Sequence, residues 1–149
     1  MAQKTPHQQR IEQFMRLAKQ RVPQLPEMPS EKTRELRAKL IMEEALETID
    51  ALGVDVTCGN TYVSKDNVHL FATHPPNLVE IADGCADISV VTIGTLSACG
   101  IPDQGLLEMV DKNNLEKRGN GSYIRPDGKL VKPPNHKPPD IRGWLESFN

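Results

Sequence analysis

The segment Met42–Asp50 reads MEEALETID. It carries three glutamates, Glu43, Glu44 and Glu47. A helix turns by about 100° per residue, so we expect these side chains to share one face with Leu36 and Leu40, which are predicted to look toward the interior. Buried carboxylates repel each other and lose hydration unless a cation meets them. Because a hard divalent metal ion is the general solution, the segment predicts a metal-binding helix.

A second acidic row follows in the segment Asn77–Cys99. Its three acids fall within about 60° of one another on a helical projection, and they are Glu80, Asp83 and Asp87. Gly84 and Gly94 lie on the same strip, where they leave room for a ligand beside the helix. Two helices with inward rows of acids can face each other across a metal site. This pairing is the strongest functional signal in the sequence.

The composition argues against several classes of protein. The chain has 149 residues, enough for one domain with one core, and its formal net charge of −2 gives no electrostatic reason for nucleic-acid binding. No apolar run approaches about 18 residues without a charge, which argues against a membrane span. The N-terminus lacks the apolar segment of a secretory signal. Cysteines are odd in number, and Cys85 and Cys99 follow an apolar helical pattern, so we expect reduced core cysteines in a cytoplasmic protein.

Apolar spacing and capping residues predict four helices. Ser30 is a good N-cap for the second helix, and Gly53 is a good stop after it. The region 54–76 has no helical period and is predicted as a long loop with room for a short hairpin. The predicted helices are Pro6–Arg21, Ser30–Leu52, Asn77–Cys99 and a fourth from Asp103 to about Lys117.

The C-terminal region differs in composition from the helical part. The turn Pro126-Asp127-Gly128 between two short apolar runs predicts a hairpin, and Asp140–Phe148 is predicted as a short closing helix. The sequence therefore predicts an all-α fold, a four-helix bundle with a C-terminal hairpin and extended tail. We interpret 1–149 as one domain, with a core over 6–117 and a tail over 118–149 that acts as a lid or clasp.

Both acidic segments match the motifs of a known superfamily. Glu43–Glu47 fits the pattern EExxE, and Glu80–Asp83 fits ExxD. The chain thus resembles the all-α nucleoside triphosphate pyrophosphohydrolases, which include MazG-type enzymes, dimeric dUTPases and phosphoribosyl-ATP pyrophosphohydrolase. Within that superfamily it resembles the MazG-like and dimeric-dUTPase-like branch. Residues 86–95 look like the segment ADLLYVTYGT of that branch, 114–117 resemble its NLSK, and 127–140 resemble its DGK…KP…PPD pattern, so the likeness covers about Glu31 to Asp140.

The second motif allows two alignments. In family members whose aspartate leads directly into the LLY-like stretch, the glutamate lies three residues earlier. Aligned in that way, Asp87 is the aspartate, and Gly84 stands where the glutamate would be. In the other alignment, Glu80 and Asp83 form the motif. Which of Glu80, Asp83 and Asp87 bind metal is therefore open, and Glu80 has the alternative role of capping its helix.

The resemblance implies Mg²⁺-dependent hydrolysis of (deoxy)nucleoside triphosphates to the monophosphate and pyrophosphate, with Mn²⁺ as a substitute ion. This chemistry would serve nucleotide-pool housecleaning. The implied ligands are Glu44, Glu47, Asp83 and Asp87, with Glu80 as a further candidate, and Glu43 is either another ligand or the catalytic base that activates the water. Asn114 is the candidate for a hydrogen bond to base or sugar, and Lys117 and Lys132 for phosphate contacts. The family also implies a homodimer or homotetramer.

Three alternatives remain beside this reading. Phosphoribosyl-ATP pyrophosphohydrolase shares the chemistry, but its acidic helix typically continues with an aromatic-His pair, whereas Ile88–Val91 follows Asp87 here. A di-iron bundle needs Glu-x-x-His on its helices, and neither acidic segment contains a histidine. A non-catalytic helical interaction module would have lost ligands, whereas at least four acids persist. Zinc binding by Cys58, His69 and His74 fits no standard spacing.

Overall fold

A computed structural model describes residues 3–59 and 62–148. The described part contains five helices and two small two-stranded sheets, and about half of the chain is helical. The helices are α1 Pro6–Leu17, α2 Glu31–Ala51, α3 Leu78–Ala98, α4 Asp103–Leu115 and α5 Ile141–Glu146. The strands are β1 Val54–Cys58, β2 Val68–Ala72, β3 Tyr123–Ile124 and β4 Leu130–Val131. The helical fold class is confirmed.

The chain divides into two compact units. The acidic unit is Met28–Ala98, which contains α2, the β1–β2 hairpin and α3. The terminal unit consists of the residues before Met28 and from Cys99 onward, with α1, α4, the β3–β4 hairpin and α5. A single four-helix bundle, the single domain and the oligomer stay predictions.

Helix α2 begins and ends where its capping residues predict. The N–H of Thr33 donates to Ser30 Oγ at 3.2 Å, which satisfies one of the free donors of the first turn. The helix ends at Ala51, and Gly53 follows with φ of +79°, a left-handed conformation that glycine adopts without strain. A Cβ at this glycine would also overlap the carbonyl oxygen of His74. The turn therefore requires glycine for two separate reasons.

The β1–β2 hairpin returns the chain to the end of α2. The strands pair antiparallel, from Val54 opposite Ala72 to Cys58 opposite Val68. Beyond them, the N–H of Thr73 donates to Gly53 O at 2.9 Å, and the N–H of Asn77 donates to Ala51 O at 2.8 Å. These bonds place the start of α3 beside the end of α2, so the two helices run antiparallel. The region predicted as a loop with room for a hairpin thus holds a five-residue ladder.

Helix α3 begins at the predicted cap. Asn77 Oδ1 accepts hydrogen bonds from the N–H groups of Val79 at 3.1 Å and Glu80 at 3.4 Å. Among the described helices, α3 is long and apolar enough by composition to cross a membrane, with 33% of the tested stretch buried. A core helix passes the same test, and Asp83 and Asp87 interrupt the apolar surface of α3. We interpret α3 as a helix packed along α2, and the absence of a membrane span stays a prediction.

In the terminal unit, α1 is fastened to the start of α4. Asp103 is 1% exposed, and its Oδ1 accepts the N–H of Thr5 at 2.8 Å. Gln8 Oε1 accepts the N–H of Asp103 at 2.8 Å, and Gln8 Nε2 donates to Ile101 O at 2.8 Å. The predicted end of the first helix at Arg21 is wrong. The helix ends at Leu17, because the next turn contains a residue with positive φ, Lys19 at 58°.

The C-terminal tail packs on α4. Asn113 Nδ2 donates to Lys137 O at 2.8 Å, and its Oδ1 lies 3.0 Å from His136 Nε2. The Trp144 ring covers Gly105, and it meets the Phe148 ring edge to face at 4.9 Å. The predicted tail hairpin and closing helix are confirmed as β3–β4 and α5. The role of the tail as a lid or clasp stays a prediction.

Two residues expected in the interior are exposed. Leu36 is 40% exposed, and Cys85 is also exposed. The buried face of α2 centres on Arg37, Thr48 and Ala51, and Leu36 lies roughly 100° away from it. Cys85 follows the buried Gly84 by one residue and is turned away by a similar angle of about 100°. The sequence indicated amphipathic helices but not which apolar positions would find a partner.

Candidate functional site

Acids of both helices line one cavity in the acidic unit. The cavity has a volume of about 220 Å³. Helix α2 contributes Glu47, Asp50 and Ala51 to its lining, and α3 contributes Glu80, Asp83, Gly84 and Asp87. Because α2 and α3 run antiparallel, acids near the end of one helix meet acids near the start of the other. The two helices therefore bring acids together as expected, but Glu47, Glu80 and Asp83 are exposed and not buried in the interior.

The negative charges on the two helices act on one another. The pKa of Glu44 is raised, first by its partial burial and then by the charges of neighbouring carboxylates. Those neighbours are Asp87, Glu47, Glu43 and Asp83, in decreasing order of effect. Asp87 and Asp83 belong to the opposite helix, so the repulsion crosses the gap between α2 and α3. Among the residues that the structure describes, those that line the cavity include no lysine, arginine or histidine.

Ion pairs in this region involve its outer carboxylates. Lys39 Nζ lies 3.7 Å from Glu43 Oε1, on an exposed part of α2. His74 Nε2 lies 3.3 Å from Asp50 Oδ1, where Asp50 reaches the cavity rim. The residues that line the cavity do not include Glu43 or Glu44. Glu44 lies beside the lining acids, and Glu43 is on the exposed side of the helix.

The position of Glu80 bears on its two predicted roles. Asn77 supplies the side-chain cap of α3, and its own N–H is taken by Ala51 O. A capping-box glutamate would accept that N–H, so this role is occupied by another group. The side chain of Glu80 instead lines the cavity with Asp83 and Asp87. The structure therefore brings all three acids of α3 to the same space.

One group of possible ligands was missed by sequence reasoning. Donor atoms of Asp50, Asp55 and His74 all lie within 4.8 Å of one another, and all three residues are exposed. Asp50 follows Glu47 by three residues, so helical spacing alone would have added it to the acidic face. His74 and Asp55 come from the hairpin and the turn after it. Their approach depends on the β1–β2 pairing, which no local pattern fixed.

The predicted substrate-binding residues all belong to the terminal unit. Lys117 Nζ donates to Asn114 Oδ1 at 2.6 Å, one turn apart at the end of α4. Lys132 follows β4 and is exposed. The roles of Asn114, Lys117 and Lys132 in substrate binding stay predictions, as do the ligand and base assignments in the acidic unit.

Comparison with known proteins identifies the family. The model of the phosphoribosyl-ATP pyrophosphohydrolase family matches residues 11–114, which is more than half of the 149 residues and includes both acidic helices. The chain belongs to this family. The family is part of the MazG-like all-α nucleoside triphosphate pyrophosphohydrolase superfamily, so the recognition from motifs is confirmed. No curated protein matches the chain.

Family membership implies a class of reaction and a class of cofactor. Members of this family are pyrophosphohydrolases that act on phosphoanhydride bonds of nucleotides, and they use divalent metal. The residues of the cavity fit such an ion. Carboxylate oxygens are the ligands that hard divalent cations prefer, and the mutual repulsion felt by Glu44 is relieved when a cation enters.

Proposed function

We propose that the protein hydrolyses (deoxy)nucleoside triphosphates to the monophosphate and pyrophosphate with Mg²⁺, as a housecleaning enzyme of the nucleotide pool. The observation that carries the proposal is a cavity of about 220 Å³ that is lined by carboxylates of both helices, Glu47 and Asp50 from α2 and Glu80, Asp83 and Asp87 from α3. Glu47, Glu80 and Asp83 are exposed and Asp87 is partly buried, so their carboxylates can reach a ligand that arrives from solvent. These acids face one another, an arrangement suited to cations that arrive with a polyphosphate.

The carboxylates on both helices would hold the metal. We assign Glu44, Glu47, Asp83 and Asp87 as ligands, with Glu80 as a fifth, and Mn²⁺ as a substitute for Mg²⁺. When bound, the metal neutralises the triphosphate and supports attack of water at the α-phosphorus. The protein contributes a rigid pair of helices that keeps the ligand oxygens in place before substrate binds, so little reorganisation is needed during the reaction.

Glu43 is proposed as the base that orients and deprotonates the attacking water, or as a further ligand. Its ion pair with Lys39 spans 3.7 Å, and the side chains are 48% and 72% exposed. An exposed pair of this kind contributes little to stability, so it is broken readily and leaves the carboxylate free to accept a proton. Exchange of Glu43 for Gln should lower turnover more than metal affinity if it is the base.

Asn114, Lys117 and Lys132 are proposed to bind the nucleotide. The ammonium groups of the two lysines suit phosphate oxygens, and the Asn114 amide suits a base or sugar. Lys117 already donates to Asn114 Oδ1 at 2.6 Å, which orients the amide. Loss of these groups should raise KM more than it lowers kcat.

The test is a panel of standard and modified (d)NTPs with Mg²⁺ or Mn²⁺, scored for monophosphate against diphosphate. The wild type should release pyrophosphate, and Glu47→Gln should abolish this release with helicity unchanged. Glu35→Gln is the matched control, because Glu35 is an exposed acid on α2 that does not line the cavity. Formation of diphosphate and phosphate would contradict attack at the α-phosphorus, and retained turnover in Glu47→Gln would overturn the ligand assignment.

A second candidate substrate is phosphoribosyl-ATP, which the family match favours. The absence of an aromatic-His pair after Asp87 counts against it. Phosphoribosyl-ATP therefore belongs in the same panel. We expect a lower kcat/KM for it than for the preferred (d)NTP. A higher kcat/KM for phosphoribosyl-ATP than for every (d)NTP would identify phosphoribosyl-ATP as the preferred substrate. The proposed metal-dependent hydrolysis at the cavity would still hold.

The protein is also proposed to be a cytoplasmic homodimer or homotetramer that acts without nucleic acid or membrane. Supporting residues are large apolar side chains on the outer faces of the acidic unit. Met42 is 51% and Leu46 44% exposed on α2, and Leu78 is 80% exposed at the start of α3. Association would cover this surface. Light scattering of the purified protein should give a mass of two or four chains, and a monomer would contradict the proposal.

A further inference from the structure

We infer that Thr48 and Gly84 are positioning residues, whose contact sets the distance between the two acidic rows and thereby the affinity for the divalent metal. The inference rests on the proposed function, because it concerns how the proposed metal ligands are held. Neither residue carries a charge, and from the sequence Gly84 was expected only to leave room for a ligand beside the helix. Their importance follows from their place in the packing of α2 against α3.

The helices are closer at this point than any side chain at position 84 would allow. Gly84 is buried, and a Cβ placed on it would overlap the hydroxyl oxygen of Thr48. The same Cβ would lie 3.1 Å from Thr48 Cβ and 3.2 Å from Thr48 Cα, which is tighter than ordinary van der Waals contact. Backbone and Cβ atoms cannot swing aside as the end of a long side chain can. A methyl group at position 84 must therefore push the helices apart.

Thr48 cannot relieve the overlap by a simple rotation. It is 6% exposed, and its Oγ1 donates to Glu44 O at 2.7 Å. A β-branched side chain in a helix has few χ1 rotamers, and this hydrogen bond holds one of them. Because the accepting carbonyl belongs to Glu44, the bond also links the contact to the residue whose carboxyl group carries the raised pKa.

The contact lies at the centre of the acidic cluster. On α2, Thr48 directly follows Glu47, and on α3, Gly84 directly follows Asp83 and precedes Asp87 by less than one turn. A change in the spacing of the helices at this point therefore moves the backbone positions that carry Glu47, Asp83 and Asp87.

The tolerance of a metal site makes such a change costly. Mg²⁺ holds oxygens at about 2.1 Å, so two oxygens on one ion are at most about 4.2 Å apart. Ligand distances in functional sites are kept within about 0.2 Å. Separation of the helices therefore moves the oxygens of one helix away from an ion held by the other and weakens binding, whereas a fold held by the rest of α2 and α3 survives it.

The experiment compares Mn²⁺ binding by calorimetry in the full-length wild type and in Gly84→Ala. We expect Mn²⁺ affinity to fall by about tenfold or more, the effect typical of residues that orient ligands. Helical content should stay the same, because alanine favours a helix over glycine. With saturating metal, kcat should change less than the metal concentration needed for half-maximal rate. If Gly84 has a purely structural role, the variant should have a lower melting temperature, and kcat and the metal concentration for half-maximal rate should change to a similar extent.

Rescue tests whether spacing is the cause. Thr48→Ala in the Gly84→Ala background removes the hydroxyl, which makes the closest of the three contacts, and keeps Cβ and Cα, so we expect part of the lost Mn²⁺ affinity to return. Thr48→Ile enlarges the same contact from α2, and should weaken binding like Gly84→Ala if that variant does not fold. Gly105→Ala is the matched control, since it also adds a methyl group to a helical glycine. The added Cβ would lie 3.3 Å from Trp144 Cζ2, in the terminal unit. Its Mn²⁺ affinity should equal that of the wild type.

The outcomes separate this inference from the proposed function. A wild type that binds no divalent metal would overturn the proposed function and this inference together. A wild type that binds Mn²⁺, with equal affinity in Gly84→Ala or in a folded Thr48→Ile, would overturn only the positioning role. Failure of Thr48→Ala to restore any affinity in the double variant would also overturn it.

Discussion

Acidic side chains have opposite surroundings in the two units. In the terminal unit, Asp103 is 1% exposed and accepts both the N–H and the hydroxyl hydrogen of Thr5. Glu12 is 4% exposed and meets Lys4 Nζ at 2.7 Å and an Arg16 nitrogen at 3.1 Å. In the acidic unit, partial burial and then the negative charges of Asp87, Glu47, Glu43 and Asp83 raise the pKa of Glu44.

This difference teaches how to separate structural acids from functional ones. A buried carboxylate that receives hydrogen bonds or a cation from its own chain stabilises the fold, and its loss leaves donors unpaired. A carboxylate that faces other carboxylates destabilises the empty site, and it stabilises the state in which a cation is bound. The two kinds of acid should therefore respond to substitution in opposite ways, with activity affected in one case and stability in the other.

The largest expected effect is the loss of activity in Asp87→Asn. Removal of a charge that faces Glu44 should lower Mg²⁺-dependent pyrophosphate release by about a hundredfold or more. The melting temperature without metal should stay the same or rise, since a repulsion is removed. Pyrophosphate release and thermal unfolding of the same sample measure both effects. A variant that loses stability and keeps its activity would place Asp87 among the structural acids.

The opposite pattern is expected for Asp103→Ala in the terminal unit. This change leaves the N–H of Thr5 without its buried acceptor, so the free energy of unfolding should fall by about 2 to 4 kcal/mol. Chemical denaturation measures the loss. Asp103→Asn keeps an acceptor oxygen in place and should cost less. If Asp103→Ala unfolds like the wild type, the hydrogen bonds between α1 and α4 do not hold the terminal unit together.

The raised pKa of Glu44 predicts how stability depends on pH in the metal-free protein. An ordinary glutamate has a pKa of 4.5, and in the folded state the value is higher. At a pH between these two pKa values, the folded chain binds more protons than the unfolded chain. The contribution of Glu44 to the free energy of unfolding is therefore fully present below the pKa of the unfolded chain. It is lost as pH rises through the pKa of the folded chain. Thermal unfolding at several pH values should show this decline without metal, and saturating Mg²⁺ should remove it. Glu44→Gln is the control and should abolish the metal-free decline.

The smallest effect is expected for an exposed acid outside both sets. In the tail, the hydrogen bond from Arg125 holds the pKa of Asp127 below its usual value, with a further bond from the Lys129 N–H. The contribution of Asp127 to the free energy of unfolding is present above the pKa that its carboxyl group has in the unfolded chain. It is lost as pH falls through the lower pKa of the folded chain. Asp127→Asn should change neither the melting temperature nor pyrophosphate release measurably, because exposed pairs contribute little. A clear loss of turnover would show that the tail hairpin takes part in the reaction.

Local signals predicted much of the acidic unit. Ser30 and Gly53 bound α2 as expected, and Asn77 caps α3, because capping depends on residues next to one another in the chain. The helical period grouped Glu80, Asp83 and Asp87, which all line the cavity, whereas of Glu43, Glu44 and Glu47 only Glu47 does. Asp50 follows Glu47 by three residues and so lies on the same face of α2, but it was not predicted as a ligand. The early end of α1 at Leu17 and the exposure of Leu36 were not foreseen, since both depend on what packs against the helix.

Sequence alone determined that this chain has two helices with acidic faces and that it belongs to a family of nucleotide pyrophosphohydrolases. Both follow from residue type at helical spacing, which is a local property. Only the tertiary structure decided that the two faces meet, that His74 reaches Asp50, and that Gly84 lies against Thr48. These contacts join residues far apart in the chain, and their distances are set by the packing of α2 on α3 and by the hairpin that joins them.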